Sequence, residues 1–250
     1  MDVQFNSGPL ALAGHLASPP SRHPSAPAVV LCHGMPVTGV GAKKANGSFP
    51  ELADRIANEL GWFAFSFAYR AAGESEGQFS LGGWLADTAA AVQFAADVEG
   101  VSSLYLAGFG TGGAMAICAA ARDDRVRGVA ALAAPADFDD WAAQPRRLLE
   151  HARDLGLVTD PTFPASFDAW ARDLRTIRAV QCVSRVVPRP LLVVHGTDDE
   201  SVPDFDARAV ADAHGHAELR IIPGASHSLR HDPRAVAMLL GWLDRQRHAA

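Results

Sequence analysis

Short apolar runs alternate with stretches of helical period along most of this 250-residue chain. That alternation predicts an α/β fold, a mainly parallel sheet with helices on both faces. Two further observations agree. The runs beginning at Ala28, Leu104, Gly128 and Leu191 read as strands buried on both faces. The polar and glycine-rich clusters that could carry chemistry follow these runs, and ligands bind such sheets at the carboxyl ends of the strands.

The elements follow in order. Val3 to Phe5 and Leu10 to Ala17 flank Asn6-Ser7-Gly8 and read as a hairpin. Pro19 to Pro27 is a Pro/Ser-rich loop, and Ala28 to Cys32 is a strand ended by His33-Gly34-Met35-Pro36. After a loop from Val37 to Gly47, Pro50 to Leu60 is a helix with Leu52, Ile56 and Leu60 on one face. Trp62 to Phe67 is a strand running into the turn-rich Tyr69 to Gly77. Gly83 to Val98 is helical, with Leu85, Val92 and Ala96 toward the sheet.

The strand near Ser103 turns sharply at Gly108 to Gly113 into a small-residue helix, Ala114 to Ala121, and Gly128 to Ala134 is the next strand. Residues 137–186 interrupt the alternation. They read as two helices, Phe138 to Leu155 and Phe167 to Val180, forming a small cap over the strand ends. The chain is then one domain, with core 1–136 and 187–250 and cap insertion 137–186. Leu191 to His195 and Leu219 to Ile222 are the last strands. The final helix, Asp232 to Arg247, has Asp232 as N-cap, Pro233 first and a buried stripe of Val236, Leu239, Leu240 and Leu243.

With 48% hydrophobic and 20% charged residues the chain has ample material for an ordered core. A net charge of −6 leaves no basic surplus to neutralise phosphates, which argues against nucleic acid as a partner. Cys32, Cys118 and Cys182 form no CxxC pattern, which speaks for a reducing compartment and against zinc. No run reaches the ~18 apolar residues of a membrane span, and no basic segment leads into an apolar one at the N-terminus. A cytoplasmic protein with a small-molecule ligand and no membrane partner is expected. Its oligomeric state is left open.

The chemistry concentrates at Gly108-Phe109-Gly110-Thr111-Gly112-Gly113. Strand, sharp turn and helix make the context of the G-x-S-x-G nucleophile elbow, in which the middle residue is the attacking serine. Here that residue is Gly110. Other pieces stand in order around it: His33-Gly34, Arg70 to Gly77, His195-Gly196-Thr197-Asp198-Asp199, and Gly224-Ala225-Ser226-His227. Together they make the chain resemble an α/β-hydrolase over nearly its whole length, with most likeness to the carboxylesterase and feruloyl-esterase-like branch.

The resemblance implies roles residue by residue. Gly110 holds the nucleophile position, Asp199 matches the acid and His227 the base, in the order of that family. Asp198 is the alternative acid. Thr111 and Met35 would supply the two backbone N–H donors of an oxyanion hole. No metal or organic cofactor is implied. The bland readings are that His33 and His195 support loops, His231 starts a surface helix, Arg70 and Glu74 hold loop structure, and Trp141 and Trp170 pack the cap or line a pocket.

Acyl transfer needs an activated oxygen, a base, and a carboxylate that holds the base's tautomer. Gly110 cannot supply the first. Thr111 is displaced by one residue on a sharp turn, Cys32 faces the core, and Ser226 would have to fold back. The expectation is an ester-hydrolase scaffold that binds a small acyl-type ligand, its serine catalysis lost or strongly reduced. Any remaining turnover would pass through His227 and Asp199. The alternatives are a binding or regulatory pseudoenzyme and an inactivated variant of an active esterase.

Overall fold

A computed structural model describes residues 1–20, 25–37 and 41–247. The loop readings at 19–27 and 37–47 extend over residues 21–24 and 38–40, which lie outside the described residues. Eight strands form one sheet: β1 (Asp2–Ser7), β2 (Leu10–Ala17), β3 (Ala26–Cys32), β4 (Phe63–Phe67), β5 (Val101–Phe109), β6 (Val126–Leu132), β7 (Leu191–Gly196) and β8 (Glu218–Ile222). Their spatial order is β1-β2-β4-β3-β5-β6-β7-β8. The β1–β2 and β2–β4 pairs are antiparallel and every later pair is parallel. This is the α/β architecture that the alternation of elements predicts.

Strand periodicity divides the core into two layers. Val29 and Leu31 of β3 and Leu192 and Val194 of β7 face α1 (Phe49–Leu60) and α9 (Pro233–Arg247). Val30, Leu106 and Val193 face the opposite layer, to which α2 (Leu81–Ala96), α3 (Thr111–Ala120) and α8 (Asp204–His214) contribute. In α1, Leu52 and Ile56 are buried, and in α9 Val236, Leu239, Leu240 and Leu243 are, as their spacing requires. Asp232 sits where an N-cap belongs, its Oδ1 accepting from the Arg234 N–H at 2.8 Å.

The structure shifts several boundaries. The helix expected from Gly83 begins at Leu81, because Ser80 caps it by accepting the Gly83 N–H at 3.1 Å. The two helices expected in 137–186 are four: α4 (Asp139–Ala143), α5 (Pro145–Asp154), α6 (Phe167–Thr176) and α7 (Ala179–Cys182). Pro145 lacks the N–H needed to continue α4 and suits the first turn of α5. Ile177 is extended, at φ −93° and ψ 103°, which stops α6. Sequence reading gave no element to 204–214, which form α8.

Candidate active site

Loops after β3, β5, β7 and β8 meet above the carboxyl ends of the central strands. The first follows β3. His33 is fully buried, and its Nδ1–H donates to Gly34 O at 2.7 Å while its Nε2 accepts the Tyr69 N–H at 3.1 Å. This fixes the tautomer and ties the β3 loop to the β4 loop. Burial, partly offset by the bond to Gly34, pushes the imidazole down to about 4, so it is a neutral strut. The expected loop-supporting role of His33 agrees with this geometry.

The second loop joins β5 to α3. Gly110 has φ 53° and ψ −128°, a backbone region that a side chain strains. Its N–H donates to Leu132 O at 2.8 Å, and its carbonyl accepts the Gly113 N–H at 2.9 Å. The turn is therefore held by main-chain bonds. The flanking glycines are there for contact. A Cβ on Gly112 would overlap the carbonyls of Cys32 and His33, and one on Gly108 would overlap the Gly112 carbonyl. Strand, turn and helix lie in the order that a nucleophile elbow requires.

The third part comes from the loops after β7 and β8. Asp199 has no exposed side-chain surface. Its Oδ1 accepts the N–H groups of Ser201 and Val202, each at 2.9 Å. Its Oδ2 accepts from His227 Nδ1 at 2.8 Å and lies 3.2 Å from His195 Nε2. Burial pushes this carboxyl up, but the bonds from His195, His227 and Val202 outweigh it and hold the group well below the usual carboxylate range. An ionised Asp199 makes His227 Nδ1 the donor and leaves Nε2 with its lone pair. Asp198 instead accepts from the Thr197 hydroxyl at 2.7 Å.

Sequence reading did not foresee that His195 also turns to Asp199. Its Nε2 bonds Val202 O at 2.9 Å, while its buried Nδ1 has no partner among the described residues. Burial lowers its basicity, and the bonds to Asp199 and Val202 raise it by more. The imidazole thus braces the acid and the turn that follows it.

Gly110 and His227 face each other. A Cβ on Gly110 would lie 3.2 Å from His227 Nε2, 3.6 Å from its Cε1 and 3.7 Å from the Gly34 Cα. Thr111, Met35 and His227 line one cavity of about 500 Å³, walled on its far side by residues of the 137–186 segment, Trp141 among them. Five residues chosen from sequence, Gly110, Asp199, His227, Met35 and Thr111, are thus gathered at one place. Of the alternative nucleophiles, Cys32 faces the core as expected. Cys32 is fully buried and burial pushes its thiol up to about 12, and Ser226 is exposed. Trp170 is buried, its indole N–H donating to Phe79 O at 3.0 Å.

Arg70 and Glu74 do not line the cavity. Among the described residues no group of His, Cys, Asp or Glu is arranged to hold a metal ion. Likewise no described helix is long and apolar enough to cross a membrane.

The strand order, the tight turn at Gly110 and the loops that face it are those of an α/β-hydrolase scaffold. The sequence matches the alpha/beta hydrolase family over residues 29–239, most of its length, and the chain belongs to that family. No curated protein matches it. Solved structures similar to it include Est1E from Butyrivibrio proteoclasticus, at 22% identity and TM-score 0.75 over 100% of this chain and 99% of that one. Est1E has also been solved with ferulic acid bound. The α/β hydrolase GrgF from Penicillium sp. sh18 has 20% identity and TM-score 0.75, with 100% and 99% covered. The Pyrococcus furiosus esterase Pf2001 has 18% identity and TM-score 0.71, with 98% and 90% covered. At these identities the likeness is one of fold.

Proposed function

We propose that this protein is an esterase-type α/β-hydrolase that binds a small acyl-type ligand beside His227 and has lost ordinary serine catalysis at Gly110. The direction of a Gly110 side chain carries this reading, since its Cβ would stand 3.2 Å from the free Nε2 of an imidazole already held by Asp199. That is where a serine would be activated. Esterases among the structures of the same fold support the reading.

Without the serine no acyl-enzyme forms. In a related triad, removing the nucleophile costs about 2 × 10⁶ in turnover, and a residual ~10³–10⁴ over water survives from binding and the oxyanion hole. The remaining route is general-base attack by water. Nε2 takes a proton from a water as its oxygen adds to the acyl carbon. The N–H groups of Thr111 and Met35 receive the oxyanion, and Nε2 returns the proton to the departing alkoxide.

Hydrolysis of a short-chain chromogenic ester by this chain, Gly110→Ser, and Gly110→Ser with His227→Ala tests this. The serine variant should gain activity by orders of magnitude and lose it without His227. A serine variant as inactive as the unsubstituted chain would overturn the reading and leave a binding module without turnover as the better one.

A further inference from the structure

The cavity wall opposite His227 has a charge that acyl binding alone does not require. Besides His151 and His227, every titratable side chain on it is a carboxylate: Asp137, Asp139, Asp140 and Asp206. No lysine or arginine is among the described residues lining it. Arg178, behind the wall, pairs with Asp137 at 2.8 Å and also holds Asp139. Neither Asp140 nor Asp206 is in an ion pair with a lysine or arginine among the described residues, and the His195 imidazole is the basic group near Asp206. Asp206 is half-buried, and only its Oδ2 is engaged, by the Ala136 N–H at 2.9 Å.

Asp206 shows how strained this charge is. Burial pushes its carboxyl up, and the charges of Asp137 and Asp140 add to this, together outweighing the Ala136 N–H bond and the His195 imidazole, which pull the other way. Such a wall costs free energy in the empty protein and returns it when a cation arrives. Two aromatic rings share the wall. Phe138 and Trp141 lie with centroids 5.1 Å apart, and both border the cavity. Carboxylates with aromatic faces beside them suit a weakly hydrated ammonium group, which gains from both.

We infer that the cavity selects acyl ligands that carry an ammonium group, held by the carboxylates of Asp140 and Asp206 and by the rings of Phe138 and Trp141. The inference rests on the proposed acyl site, because His227 and the carboxylate wall border the same space. It names a substrate class, esters of amino alcohols or of amino acids, and excludes anionic acyl groups. A negative ligand would meet four carboxylates, with His151 and His227 as the only basic side chains among the described lining residues.

The test is equilibrium binding of two isosteric esters to the unsubstituted chain by calorimetry. The probes are butyrylcholine and 3,3-dimethylbutyl butyrate, which differ in one charge. Butyrylcholine should bind at least about tenfold more tightly at low ionic strength, and the advantage should shrink as salt is added. The two esters should bind alike in the Asp140→Asn, Asp206→Asn double variant. Asp140→Asn alone, at an exposed position, should remove part of the preference without threatening the fold.

Equal binding of both esters would overturn the charge preference while still supporting an acyl site. A preference untouched by salt or by both substitutions would overturn it as well. Failure of both esters to bind would overturn it together with the proposed function. The Gly110→Ser activity test reads the catalytic half of that function independently, on a neutral ester.

Discussion

Arg70 grips Asp87 with main chain and side chain together. Its backbone N–H reaches Oδ2 at 2.9 Å, Nη2 reaches Oδ1 at 2.7 Å, and Nε lies 3.1 and 3.0 Å from the two oxygens. The Asp87 side chain is entirely buried. This pair anchors the loop after β4 to α2, and the same loop supplies the Tyr69 N–H that holds His33. Glu74 and Arg70 were expected to serve loop structure, and for Arg70 this is how.

Removing one member of a buried pair leaves the other charge uncompensated. Asp87→Ala should therefore destabilise the fold by about 3–5 kcal/mol in urea unfolding. Replacing both residues by apolar ones of similar size should recover much of that loss. A single substitution costing under about 1 kcal/mol would mean that water solvates the guanidinium in place.

Gly110→Ser should lower thermal stability while raising activity. The backbone at φ 53° and ψ −128° strains any side chain, at roughly 1–3 kcal/mol. The His227 ring must also retreat by a few tenths of an ångström to admit a Cβ at 3.2 Å. At about 2–4 °C per kcal/mol for a chain of this size, the melting temperature should fall by roughly 2–12 °C. A serine variant that melts higher would contradict this account of the turn.

The identity of the acid can be read in the Gly110→Ser background. Asp199→Asn would present His227 Nδ1 with an amide and lose the tautomer, lowering turnover by something on the order of 10⁴. Asp198 faces Thr197 instead, so Asp198→Asn should leave the rate within about a factor of two or three, a small effect by the same comparison. Equal losses at both positions would remove the distinction drawn from the geometry.

Stability should fall as the medium becomes acid. His33 titrates near 4 in the folded chain and near 6.5 when unfolded, so between these values the unfolded chain binds the extra proton. The stabilisation is full above about pH 6.5 and is lost as pH falls toward 4, amounting to about 3 kcal/mol. Asp199, held ionised in the fold, adds its own loss at still lower pH. Urea unfolding at pH 7 and pH 4.5 should show the difference, and His33→Asn should flatten it.

Strand positions and motif residues were legible because both follow from local rules. Apolar runs had to be buried strands, and Gly108 and Gly112 marked a turn where backbones touch. The site could be assembled from fragments far apart in sequence because an α/β sheet delivers all its loops to one edge. What was not legible depended on tertiary context. The helix Asp204–His214 has a weakly amphipathic sequence, yet Pro203 before it, Asp204 and Asp206 in its first turn and Gly215 after it were usable signals. The second imidazole at Asp199 is there because the buried His195, four residues earlier, turns back on it. The carboxylate wall joins Asp206 to residues about 70 positions away, a meeting that only folding reveals.

The elbow itself has a consequence for how such chains are read. Its turn is closed by the bonds from Gly110 to Leu132 and from Gly113 to Gly110, and its tightness is set by glycines at 108 and 112. None of these parts involves the side chain at the apex. The apex behaves like an interchangeable tool in a fixed chuck: the mount is equally well made whether it grips a serine, another reactive group or nothing. A sequence can therefore display a complete holder and still say nothing about what work is done, until the residue in the jaws is read by itself.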